Sequence, residues 1–118
     1  MKILSLILIC ILIGTSFQTN NAVQLAFKND SSDDFQKLTV NIRGNIYHFL
    51  NLPAGKTTKP IHVENTYKYC YAKAITAKDT LICQPVDFVG ETLVTSGKLQ
   101  MTFQIISESN GKRYLVIK

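Results

Sequence analysis

The chain has 118 residues, 46% of them hydrophobic, and 13 Lys and Arg against 8 Asp and Glu give a formal charge of +5. That length allows one domain, and that apolar share excludes intrinsic disorder, a collagen helix and a coiled coil. Two His, no Trp and no Ser/His/Asp cluster argue against most hydrolase and metalloenzyme designs.

The first segment reads as targeting. Lys2 provides a positive start, and Ile3 to Ile13 is apolar except for Ser5. As a helix that run would be about 16 Å long, against about 30 Å of bilayer core, so it is too short to span. With Gly14, Thr15 and Ser16 behind it, the pattern is that of a secretory signal peptide in residues 1–16, cleaved between 16 and 22. Cys10 lies inside the apolar run behind Ile9. A lipoprotein site needs a small residue there, so Cys10 is expected to leave with the signal. Cleavage after Ser16 leaves 12 basic and 8 acidic residues, or +4. The basic residues are scattered and form no stripe, so no nucleic-acid partner is expected, and no stable membrane span in the mature form.

From residue 23 the pattern alternates with period two, the signature of half-buried strands. Val23–Lys28 turns Val23, Leu25 and Phe27 to one face, and 29–34 is a polar turn. Lys37–Arg43 turns Leu38, Val40 and Ile42 inward. Gly44-Asn45 reads as a hairpin turn, which would set Ile42 against Tyr47 and Val40 against Phe49. Leu52-Pro53-Ala54-Gly55 is a second turn, and Lys59–Val63 a short edge strand weakened by Pro60. Tyr67–Ile75 and Thr80–Cys83 form a hairpin, Pro85–Thr95 a loop or crossover. Lys98–Ser107 presents Leu99, Met101, Phe103 and Ile105 on one face before Asn110-Gly111 turns into Arg113–Lys118. Eight short strands predict an all-β fold. The expected architecture is a single antiparallel β-sandwich over 23–118, immunoglobulin- or transthyretin-like, preceded by a signal-peptide helix. An open barrel is the alternative, and no long helix is expected in the mature part.

Several side-chain groups invite a chemical reading. Cys70 and Cys83 are the cysteines left after processing, an even pair that suits a disulfide in an exported chain. A turn at Thr76-Ala77 would set them directly opposite, and one at Ala77-Lys78 would make them diagonal neighbours near the limit of reach. The other reading is two buried thiols. Tyr67, Tyr69 and Tyr71, with Lys73, form a stripe at strand spacing that would suit a flat platform for a sugar or peptide. A covering loop or strand explains it equally well. His62 and Glu64 share a strand face and His48 lies on another strand. Nothing local brings them together as metal ligands, and no metal or other cofactor is expected. Asp30, Ser31, Asp33 and Asp34 lack the glycine and terminal Glu of a calcium loop and read as an Asx-type turn. Asn29-Asp30-Ser31 is a formal glycosylation sequon.

Three stretches carry a family resemblance: Asn51-Leu52-Pro53-Ala54-Gly55-Lys56-Thr57-Thr58, Thr66-Tyr67-Lys68-Tyr69, and Cys83 through Thr92 with Gly97-Lys98 and Phe103-Gln104-Ile105. Together they resemble a family of small exported β-sandwich proteins of Bacteroidota, often lipoproteins, over most of the chain from Val23 onward. The resemblance implies export and a sandwich and brings no activity with it. Such proteins carry apolar residues where Cys70 and Cys83 stand, which implies that the pair is a local addition. Asp79-Thr80-Leu81 is similar to the Asp-Ser/Thr-apolar acceptor for O-glycosylation in that group, which makes Thr80 a candidate acceptor; an unmodified strand threonine is the plainer reading.

The expectation is a non-enzymatic exported protein of the envelope or extracellular space, acting by binding an envelope protein or glycan or as a structural accessory. One alternative is a carbohydrate- or peptide-binding module using the tyrosine stripe. The other is a small hydrolase or metal enzyme, which would need His48, His62 and a carboxylate in one cleft.

Overall fold

The computed structural model describes residues 22–85 and 91–118. The expected signal peptide and part of the expected loop after Pro85 lie outside them. Eight strands form two packed four-stranded sheets: β1 (Val23–Asn29), β2 (Phe35–Ile42), β3 (Asn45–Leu52), β4 (Ile61–Val63), β5 (Tyr71–Ile75), β6 (Thr80–Cys83), β7 (Gly97–Ser107) and β8 (Arg113–Ile117). One sheet runs β4-β1-β7-β8 and the other β3-β2-β5-β6. The fold is a β-sandwich. No helix among the described residues is long and apolar enough to cross a membrane.

Alternation decides which side of each strand meets the other sheet. Val23, Leu25 and Phe27 from β1 face Leu38, Val40 and Ile42 from β2 across a core completed by Ala72, Ala74, Leu81, Met101, Phe103 and Leu115. Phe27 is the hub of the aromatic contacts, with ring centroids 5.2 Å from Phe49 and 6.1 Å from Phe103.

One pairing departs from the expected antiparallel order. β1 and β7 run parallel, from Val23 opposite Gly97 to Asn29 opposite Phe103. A parallel pair needs a long crossover, and here it is almost the whole intervening domain, which supplies β2–β6.

The β2–β3 hairpin also differs. Its turn residues are Arg43 and Gly44, both at positive φ (55° and 93°), so Val40 faces Tyr47 and Leu38 faces Phe49. Positive φ at both central positions is the two-residue turn whose twist matches the flanking strands. Asn41 Oδ1 accepts the Gly44 N–H at 2.8 Å. Arginine is strained in that region, but its side chain is held. Its guanidinium lies 5.3 Å from the Tyr67 ring centroid, and Nε donates to Asn65 Oδ1 at 3.2 Å.

The β5–β6 turn contains neither Gly nor Pro. Thr76 replaces them: its Oγ1 accepts from the Lys78 and Asp79 N–H groups at 3.1 Å each and donates to Asp79 Oδ1 at 2.7 Å. The resulting register, Ala72 opposite Cys83 and Ile75 opposite Thr80, centres on Ala77-Lys78. β5 begins at Tyr71, not Tyr67, because the preceding segment crosses between sheets and Thr66 is tied to Val94 by an isolated bridge. β4 is shorter than expected, beginning after Pro60, and lies at a sheet edge.

Candidate functional site

The outward face of the β3-β2-β5-β6 sheet follows from the registers. One row reads Ile46, Asn41, Tyr71, the next His48, Thr39, Lys73, Ile82, and the third Leu50, Lys37, Ile75, Thr80. Solvated strand faces usually carry polar side chains, yet Ile46 is 60% exposed, Leu50 69%, Tyr71 40% and Ile82 49%. Ile106, on the other sheet, is also exposed. Among the described residues, four of the five exposed large hydrophobic side chains therefore share one face, a distribution that marks contact surfaces. Lys37 and Lys73 stand in the middle of the face, and none of the residues in its three rows is acidic. His48 lies there with its Nδ1 2.9 Å from Thr39 Oγ1.

Around the corner from Ile82 a groove of about 630 Å³ lies between β6 and β8, lined by Tyr69, Ile82, Cys83, Pro85, Tyr114 and Ile117. It separates the tyrosines of the stripe. Tyr71 and Lys73 are on the outer sheet face, Tyr69 lines the groove with its hydroxyl donating to Glu91, and Tyr67 packs on Arg43. The three share no single strand face because Tyr67 and Tyr69 precede β5.

The remaining groups occupy separate places. His62 and Glu64 line a depression beside the β2–β3 turn, while His48 belongs to the other sheet. Among the described residues no three His, Cys, Asp or Glu side chains gather as a metal would require. Cys70 and Cys83 are free thiols. The hairpin register puts Ala72, not Cys70, opposite Cys83, and Cys70 Sγ lies 3.7 Å from Met101 Sδ. Burial, and then the neighbouring Cys83, push the Cys70 thiol up to about 12; burial also raises Cys83. Both are therefore protonated and weakly nucleophilic at neutral pH. Thr80 is exposed at the start of β6 on the outer face, sterically open to modification.

Asn29 of the sequon is fully buried. Its Nδ2 donates to the carbonyls of Asp33 (2.8 Å) and Leu52 (3.1 Å), and its Oδ1 accepts from Ser31 N–H and Oγ. A glycan there is incompatible with the folded domain. The acidic turn that Asn29 organises has partners for its carboxylates: Asp30 accepts from Gln104, Asp34 from the Ala54 N–H, and Asp33 from Arg113.

Arg113 of β8 also joins distant elements. Its Nη2 is 2.6 Å from Asp33 Oδ2 in the β1–β2 connection and 3.3 Å from Asp79 Oδ1 in the β5–β6 turn. Its Nε is 3.1 Å from Asp79 Oδ2, an ionic contact out of hydrogen-bond alignment. The hydrogen bond from Arg113 holds the Asp33 carboxyl below its ordinary value, and the same pair raises Arg113. A depressed carboxylate adds stability that is full above its unfolded value, near 3.8, and is lost as pH falls through the lower folded value. The denaturant midpoints of wild type and Asp33→Asn are therefore expected to differ at pH 7 and to converge as the pH falls well below 3.8. A gap that persists undiminished in acid would exclude the ion pair as its source.

No family model and no curated protein matches the chain. Among solved structures, the NMR structure of a protein from Eubacterium rectale superposes with a TM-score of 0.59 at 8% identity, covering 83% of this chain and 89% of that one. At that identity the likeness extends to the fold.

Proposed function

We propose that the protein is an exported, non-enzymatic binding module of the envelope or extracellular space, and that its contact surface is the outward face of the β3-β2-β5-β6 sheet. The observation that carries this reading is the gathering of Ile46, Leu50, Tyr71 and Ile82 on that face. Export is supported by the sequence of residues 1–16, and by the resemblance to small exported proteins of Bacteroidota. The lysines at the centre of the face, unopposed by carboxylates within its rows, favour a partner with apolar and negatively charged groups, such as an envelope protein or an acidic glycan. Of the tyrosine stripe, Tyr71 and Lys73 remain part of this surface. The separation of His48 from His62 supports the non-enzymatic reading.

The test is capture from the envelope fraction of native cells, with wild type beside Tyr71→Glu combined with Ile82→Glu. Both side chains point outward, so the double variant is expected to keep its strand content by circular dichroism and to lose the captured partner. Capture that is unchanged by the double variant would assign binding to another surface.

A further inference from the structure

Each sheet edge offers unpaired backbone groups to another strand, and proteins usually guard such edges with shortness, proline or charge. Three of the four edges here are guarded. β4 has three residues and follows Pro60; β6 has four and is followed by Pro85; β8 has five, is flanked by Lys112 and Lys118, and lies beside β6. β3 is different. It has eight residues, Asn45–Leu52, and contains no proline and no Lys, Arg, Asp or Glu. It stands at the end of its sheet, and no backbone hydrogen bond outside its ladder with β2 involves residues 45–51 among the described residues. Its inward aromatics, Tyr47 and Phe49, are only half-buried, while Ile46 and Leu50 are exposed on the other side. Both faces of this edge are thus apolar and incompletely covered.

The sequence of the edge is also symmetric about His48. Reading outward in both directions gives Tyr47 and Phe49, then Ile46 and Leu50, then Asn45 and Asn51. A two-fold interface is self-complementary: if residue i meets residue j, then j meets i. An antiparallel β3–β3 pairing centred on His48 sets Ile46 opposite Leu50 on the outer face, Tyr47 opposite Phe49 on the inner face, and His48 opposite its own copy. The four apolar side chains of 46–50 then each have an apolar partner at cross-strand distance. Registers shifted by two residues lose this match: one sets Ile46 opposite His48 and Leu50 opposite Gly44, the other Leu50 opposite His48 and Ile46 opposite Leu52.

From the unguarded edge and its symmetry we infer that the protein associates with a second copy of itself through β3, joining two four-stranded sheets into one of eight strands. The assembly is closed, because the pairing consumes β3 of both copies and the other edges are guarded. It also enlarges the proposed contact face, since Ile46 and Leu50 of each copy line the seam of one continuous outer surface. The inference stands apart from the proposed partner binding: a strictly monomeric protein would overturn it and leave that reading in place.

Sedimentation equilibrium on the purified protein is expected to show a monomer–dimer equilibrium. Ile46→Lys combined with Leu50→Lys places like charges opposite each other twice across the seam, and the dimer should be lost while circular dichroism is unchanged. Ile46→Lys combined with Leu50→Glu places opposite charges there and should dimerise. His48→Cys should form a covalent dimer under mild oxidation, because directly opposed residues lie within disulfide reach. Thr39→Cys, one strand further in, should not. Both sites are on the outward face, so the cross-linking arm decides the matter even if the lysine variant unfolds. A wild-type protein monomeric at all concentrations, a dimer that survives both lysines, or equal cross-linking from Thr39→Cys would each overturn the inference.

Discussion

Phe103→Ala is expected to destabilise the domain by about 3–5 kcal/mol, as truncation of a buried aromatic ring usually does. Phe103 is fully buried in β7, its ring stands 6.1 Å from that of Phe27, and it belongs to a core cluster drawn from both sheets. The hole cannot be filled by a local shift. Phe103 is opposite Asn29 in the parallel ladder and Ile117 in the antiparallel one, so its backbone is fixed on both sides. Small domains hold about 5–15 kcal/mol in total, and the substitution removes a large part of that. The measurement is the urea midpoint at constant slope. A loss under about 1 kcal/mol would show that the side chain does not fill the space between the sheets.

Asn29→Ala is the second large effect expected, and it has a different origin. The buried carboxamide satisfies the Leu52 carbonyl at the end of β3, the Asp33 carbonyl in the turn, and Ser31. The buried contact to the Leu52 carbonyl is lost, while the half-buried Asp33 carbonyl keeps the Ser31 Oγ at 3.1 Å; a buried group left without a partner costs about 1–3 kcal/mol. The loss should therefore reach the lower end of that expected for Phe103→Ala although far less apolar surface is removed. Asn29→Asp should be nearly as costly, because a carboxylate cannot donate to the two carbonyls. Stability equal to wild type in Asn29→Asp would mean that the carbonyls find water instead.

The two sites differ in how readily the sequence reveals them. β2 and β7 alternate strictly, so Leu38, Val40, Met101 and Phe103 can be read as core from period alone, and β6 matches its expected bounds. Pairing partners cannot be read this way: nothing in Val23–Asn29 encodes that its neighbour is β7 or that the two run parallel. The β2–β3 register is missed because an arginine occupies a left-handed position that its own composition argues against. The tyrosine stripe continues the alternation of β5 past the point where the chain leaves the sheet, so period persists where structure does not. The outward face was accessible in part. Once Tyr47 and Phe49 are assigned inward, Ile46 and Leu50 must face out, and large aliphatic residues at outward positions are the signal. Arg113, Asp33 and Asp79 are too distant in sequence for any local pattern to unite them.

The parallel pairing of β1 with β7 bears on how the domain comes into being. β1 lies inside its sheet, yet its neighbours are β4 and β7, and β7 is separated from it by nearly the whole domain. Closing so large a loop costs entropy before any contact is gained, and chains dominated by such distant contacts fold in milliseconds to seconds. During synthesis the β2–β3 and β5–β6 hairpins can form as they emerge, but Val23, Leu25 and Phe27 have no neighbour on one side until the last third of the chain is available. Folding from the N-terminus, strand by strand, is therefore closed to this topology. β1 is therefore among the last strands of the domain to be locked in place, although it precedes β2–β6 in the chain.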